Sequence, residues 1–185
     1  MIDSMGEKNR HLHNLFKSTE VEKRFLDAIK ENIDYIKASE AVDLGAGGGR
    51  FALVLSRYVK TLYCVDASDE AIEFMKLNLA GLENTKIIKV QADRLPFADR
   101  SMDLVFSANS FHDLPVGYEA EISRVLNENG RFIDLDWKKE RTEGGPPVQI
   151  RLSGMEVIVR LKAQGFALEK EQDIGTHYML VFLRE

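Results

Sequence analysis

The segment Asp43-Leu44-Gly45-Ala46-Gly47-Gly48-Gly49-Arg50 is where chemistry is most legible in this chain. An acid stands near the end of a short apolar run, residues 41–44. Glycines follow at every second position, and an apolar-periodic stretch begins at Phe51. That order implies a strand, a tight turn and a helix over residues 51–58. Residues without Cβ let backbone approach a ligand closely and allow positive φ. The first N–H groups of the new helix point into the same space. The chemistry implied is the holding of a cofactor, with a purely structural glycine turn as the plainer alternative. A dinucleotide fingerprint requires a third glycine at position 50, where the helix packs on the strand. Arg50 stands there instead.

Other polar residues follow the later apolar runs, where ligands of open α/β sheets bind. Asp66 closes the run 61–66, and a carboxylate there can accept two charge-assisted hydrogen bonds from vicinal ribose hydroxyls. Ala92, Asp93 and Arg94 follow the run 86–91; Asn109, His112 and Asp113 follow the run 102–107. Histidine titrates near neutral pH, so His112 is a candidate general base with Asp113 as its partner. A histidine that caps a helix or fills a polar niche is the alternative. Cys64 lies inside a strand and reads as a small buried hydrophobe.

These residues need a scaffold, and the periodicities supply one. Val21, Phe25, Ile29, Ile33 and Ile36 recur at helical spacing over residues 20–36. Strands are expected at 41–44, 61–66, 86–91, 102–107, 131–137, 166–171 and 177–183. Ser68 can cap a helix with Asp69 and Glu70 in its first turn, ending near Gly81. Residues 118–126 read as helix, 128–130 as a turn and 138–152 as an exposed loop. Ser153 can cap a helix carrying Met155, Ile158 and Leu161 and stopped by Gly165. Alternating strands and helices imply an α/β fold: a seven-stranded, mostly parallel sheet with helices on both faces. The last two strands, with no helix between them, form a C-terminal antiparallel hairpin.

With 185 residues the chain suits one domain. Residues 1–37 are expected to form an arm and a helix that packs on or covers the site of a domain spanning 38–185. The polar residues 1–19 suit a lid. His11 and His13, in a chain with four histidines, are too little for a metal site, and no metal is expected. A net charge of −5 offers no general attraction to nucleic acid or an anionic membrane. No apolar run reaches the roughly 18 residues of a membrane span. The N-terminus lacks a signal-peptide core, and one cysteine excludes an internal disulfide framework. The cytoplasm is the expected compartment.

From Asp43 to Gly49 the chain resembles the first motif of class I S-adenosylmethionine (SAM) dependent methyltransferases. The order of elements over 38–185 is similar to their Rossmann-like fold. The run Asp136-Trp137-Lys138-Lys139-Glu140, with Gly145-Pro146-Pro147 and Arg151-Leu152-Ser153, resembles small methyltransferases related to those of ubiquinone and menaquinone biosynthesis. The resemblance implies SAM as cofactor and S-adenosylhomocysteine (SAH) as product. It implies Asp43, Gly45, Ala46, Gly47 and Gly49 under the methionine portion, and Asp66 with Ala67 at the ribose. It places Ala92, Asp93 and Arg94 at the adenine, although Arg94 can equally pair with Asp93 or Asp99. Asn109 falls at the amino acid portion. An acid beside the turn suits a sulfonium and an amino group, whereas it would repel a pyrophosphate.

The methyl acceptor is expected to be a small molecule rather than nucleic acid, met by the N-terminal arm and residues 112–115 and 138–152. Trp137 would wall the acceptor site or pack under the Gly-Pro loop, the second being favoured. The competing functions are a nicotinamide-dependent oxidoreductase, an aminopropyl transferase and a non-catalytic SAM-binding module.

Overall fold

Each apolar run of the middle of the chain becomes a strand whose successive residues point to opposite faces of the sheet. In β1 (Glu40–Leu44), Ala41 joins one core while Val42 and Leu44 join the other. Asp43, in phase with Ala41, is thereby turned to the first of these faces. A computed structural model describes residues 20–33, 38–90 and 94–185. Its elements are α1 (Glu20–Ile33), β1, α2 (Ala52–Leu55), β2 (Thr61–Asp66), α3 (Asp69–Asn78), β3 (Thr85–Lys89) and β4 (Met102–Ala108). A 3-10 turn (Phe111–Asp113), α4 (Tyr118–Val125), β5 (Leu126–Trp137), α5 (Gly154–Lys162), β6 (Phe166–Ile174) and β7 (His177–Arg184) complete the order.

The seven strands form one sheet in the order β3-β2-β1-β4-β5-β7-β6. Strands β1 to β5 run parallel, and β7 is antiparallel to both β5 and β6. The chain leaves β1 toward β2 and β3 and later returns on its other side with β4, so the order switches between β1 and β4. That is the crevice where such sheets bind ligands. One face is covered by α1, α2 and α3 through Phe25, Ile29, Leu55 and Met75. The other is covered by α4 and α5 through Ile122, Val125, Val157 and Leu161. The terminal hairpin turns at Gly175-Thr176, directly joining Ile174 to the facing His177.

Several boundaries differ from the sequence expectation. The helix expected over 51–58 is the single turn α2, whose N-cap residue Phe51 makes no side-chain capping bond. Residues 128–130 do not end one element and start another; they lie inside β5, at the register shift against β4. Asn129 absorbs that irregularity at φ +63°, since asparagine tolerates left-handed backbone. The loop 138–152 is exposed only in part: Arg151 and Leu152 are buried. Met155 is 68% exposed, and Val157 takes the core position on α5. Ser153 caps α5 as expected, in a reciprocal capping box with Glu156. Ser68 accepts the N–H of Ala71 at the start of α3. The proposed arm and its His11 and His13, residues 34–37 at the expected end of α1, and Ala92 and Asp93 lie outside the described residues.

Candidate active site

Gly45 opens the turn after β1 at φ +70°, with its N–H and that of Ala46 both donated to the Val65 carbonyl. A Cβ there would stand 2.5 Å from the Ser110 Cβ, and Ser110 itself donates to the Leu44 carbonyl at 2.8 Å. The missing side chain therefore lets the segment after β4 close on the end of β1. Gly47 has φ +54° and open space where a Cβ would go. Its N–H donates to Asp66 Oδ2 at 2.8 Å. Asp66 Oδ1 accepts the Ser68 N–H at 2.9 Å. Gly49 turns inward against Leu79 and donates its N–H to the Ala46 carbonyl. It builds the turn from inside.

A cavity of about 350 Å³ opens beside this turn, lined by Gly45, Asp66, Ala67, Val90, Asn109 and Pro115 among others. Beneath the turn lies Asp43, 1% exposed, with Oδ2 lacking a hydrogen-bond partner among the described residues. Burial, reinforced by the nearby Asp66 charge, pushes its carboxyl up to about 7. Such a group is poised to ionise beside a cation.

Asn109 stands at the end of β4 with φ +55°, its N–H held by the Leu135 carbonyl. Its Oδ1 is buried and likewise unpartnered among the described residues. Asn109 lines both the first cavity and a second of about 780 Å³. The second cavity is walled by Phe25, Arg50, Trp137, His177 and residues of the 140–144 segment. The β5–β7 register sets Trp137 opposite His177, and their rings are 4.0 Å apart between centroids. Phe25 of α1 meets the His177 ring edge-on at 4.6 Å. Burial pushes the His177 imidazole down to about 4, so it is neutral at pH 7. Its Nδ1 meets Thr176 Oγ1, and its Nε2 is buried without a partner among the described residues.

His112 contacts two carboxylates. Its Nδ1 lies 2.9 Å from Asp136 Oδ1 and Oδ2, and its Nε2 lies 3.5 Å from Asp113. The expected partner, Asp113, is thus the looser and more exposed of the two. Burial alone would lower the His112 pKa, but the hydrogen bond and charge of Asp136, with Asp113 behind them, raise it. The other sequence candidate outside this cluster, Arg94, is exposed. Its expected partner Asp99 is bound by Arg124 at 2.6 Å, and Arg94 lines neither cavity. Sequence reading passed over His177, Ser110 and Phe25, because only pairing across the sheet and packing of α1 bring them to the site. For Asp136 a signal existed: Asp134-Leu135-Asp136 sets two acids on one face of a strand.

A family model of a methyltransferase domain matches residues 42–134, which is half of the chain and runs from β1 into β5. The chain belongs to the methyltransferase domain family. YcgJ of Bacillus subtilis, an uncharacterised methyltransferase, is 36% identical over 100 residues, 51% of this chain and 39% of that protein. A demethylmenaquinone methyltransferase of Staphylococcus aureus is 27% identical over 141 residues, 74% of this chain and 58% of the relative. The chain thus spans less than two thirds of either relative's length. A solved SAM-dependent methyltransferase from Aquifex aeolicus superposes with a TM-score of 0.75 at 25% identity, covering 84% of this chain and 89% of that one. The seven-stranded, mostly parallel sheet is the Rossmann-like architecture of SAM-dependent methyltransferases, to which this family member belongs. No helix among the described residues is long and apolar enough to cross a membrane.

The residues around the turn have a definite ligand preference. Two buried oxygens without partners among the described residues, on Asp43 and Asn109, flank a turn where side chains are missing. A ligand with a positive centre and hydrogen-bond donors complements them.

Proposed function

We propose that this protein moves a methyl group from SAM to a small-molecule acceptor. SAM, when bound, supplies the activated methyl group, so the protein's contribution is alignment and exclusion of water. Asp66 retains acceptor capacity beyond the two N–H groups it already holds, enough for the two ribose hydroxyls. Asp43 complements positive charge under the turn, and Asn109 orients the amino acid portion. Asp93 is assigned to the adenine amine by its place in the resembled motif. The acceptor enters the larger cavity, whose volume suits a small organic molecule. There Phe25, Trp137 and His177 form its walls.

What carries the reading is Asn109, the residue shared by both cavities. A cofactor on one side and an acceptor on the other would meet at its side chain. For His112, burial of the ring and two carboxylate neighbours support a clasp that holds the 109–113 segment to β5. A role as proton acceptor would need an opening to one of the cavities.

Calorimetry with SAH, followed by an acceptor screen scored by SAH release from SAM, tests the proposal. In Asp66→Ala the fold persists. Two lost charge-assisted bonds of about 1.5–3 kcal/mol each weaken SAH at least about a hundredfold. Unchanged SAH affinity overturns the ribose assignment, and absence of SAM and SAH binding overturns the function.

A further inference from the structure

Arg151 is 2% exposed, and its guanidinium has five N–H donors. All five are used. Nε donates to the Pro146 carbonyl at 2.8 Å, and Nη1 donates to the Lys138 and Glu140 carbonyls at 3.1 and 2.9 Å. Nη2 donates to Thr142 Oγ1 at 2.9 Å and to the Gly144 carbonyl at 3.1 Å. Among the described residues no carboxylate forms an ion pair with it; its charge is met by carbonyl dipoles gathered from one stretch of chain. That stretch supplies Glu140, Thr142 and Gly144 to the wall of the larger cavity.

The same guanidinium stands over the Trp137 ring, with Cζ 5.0 Å from its centroid. The wall also rests on this indole directly. At Gly145, with φ +90°, a Cβ would come within 2.7 Å of the Trp137 ring. Trp137 forms part of the cavity, and Arg151 does not. Burying an unpaired cation is costly, so a geometry that uses all its donors on one loop has a specific consequence: the loop has one shape.

We propose that Arg151 is the positioning residue of the acceptor side, holding residues 138–146 against Trp137 so that the acceptor meets a built wall. This rests on the reading that the larger cavity takes the acceptor. Lysine cannot reproduce the role, because its compact ammonium lacks the planar fork. Glutamine keeps two donors and loses the charge.

Trp137 is the only tryptophan, which makes it a reporter that requires neither SAM nor acceptor. In R151K and R151Q, acrylamide quenching of Trp137 increases and its emission shifts to the red, while SAH affinity by calorimetry stays within about twofold of wild type. With an acceptor from the SAH-release screen, KM rises at least about tenfold and kcat at saturation changes little, the pattern of lost acceptor binding. G145V drives a side chain into the indole at φ +90° and so displaces the flanking Gly144 and Pro146 carbonyls that Arg151 holds; it gives the same quenching and KM signature should the Arg151 variants fail to fold. Unchanged quenching and KM in folded R151K and R151Q overturn the proposal, as does a loss of SAH affinity equal to the rise in acceptor KM. Failure of every acceptor would count against methyl transfer, while the fluorescence arm would still decide whether Arg151 holds the wall.

Discussion

His112 Nδ1 lies 2.9 Å from the Asp136 carboxylate, binding the segment after β4 to the last turn of β5. The same carboxylate accepts the backbone N–H of His112 at 3.2 Å and of Trp137 at 2.7 Å. One buried acid therefore fixes both a rim of the smaller cavity and the indole that walls the larger one.

Asp136→Asn should lower the His112 pKa, read by NMR titration of the ring, and cost about 3 kcal/mol in denaturant unfolding, the scale for breaking a buried charged pair. The sign of the pH effect follows from the raised His112 pKa. Its contribution to stability is fully present below the unfolded value of about 6.5 and is lost as pH rises through the folded value. Unfolding free energies of wild type and His112→Gln should therefore converge with rising pH. A constant gap would show that the pair is not charged.

Asp43 behaves oppositely. Its carboxyl is raised from 3.8 to about 7, so the fold disfavours its carboxylate. The free protein should lose stability on its account as pH climbs from about 4 to about 7. Asp43→Asn should thus gain thermal stability relative to wild type at about pH 8 while binding SAM at least about tenfold more weakly. Near neutral pH, SAM binding to wild type should release a fraction of a proton. Calorimetry in buffers of different ionisation enthalpy measures it, and zero release would separate Asp43 from the bound positive charge.

Gly45→Ala and Gly47→Ala should part ways. The first drives a Cβ into Ser110 at 2.5 Å, so it should destabilise the fold by about 2 kcal/mol or more. The second meets no atom of the described residues within 4 Å beyond its own chain neighbours and should cost only about 1 kcal/mol of backbone strain. Its methyl would instead reach into the space assigned to the ligand, and SAH affinity should fall. Equal thermal shifts in the two variants would contradict this geometry.

Ser153→Ala removes the capping box of α5, whose Ser153 and Glu156 do not line the smaller cavity. About 1 kcal/mol of stability should be lost with SAH affinity unchanged, so that stability and binding separate in one experiment.

Local order determined a great deal here. Alternating apolar runs fixed where strands form, since a residue's face in a strand depends only on its parity. Asp66 and Asn109 were legible as strand-end residues because each ends an apolar run. Gly45 and Gly47 were legible because few other residues tolerate those φ values. The tertiary structure alone decided partnership. Asp136 replaces Asp113 as the closer neighbour of His112, Gly47 donates to Asp66, and His177 meets Trp137 through a register between strands far apart in the chain. It alone also decided that Arg151, whose charge predicts exposure, is buried in a ring of carbonyls. Periodicity reports which way a side chain points; what it meets there depends on long-range pairing and closure, which carry no local signal.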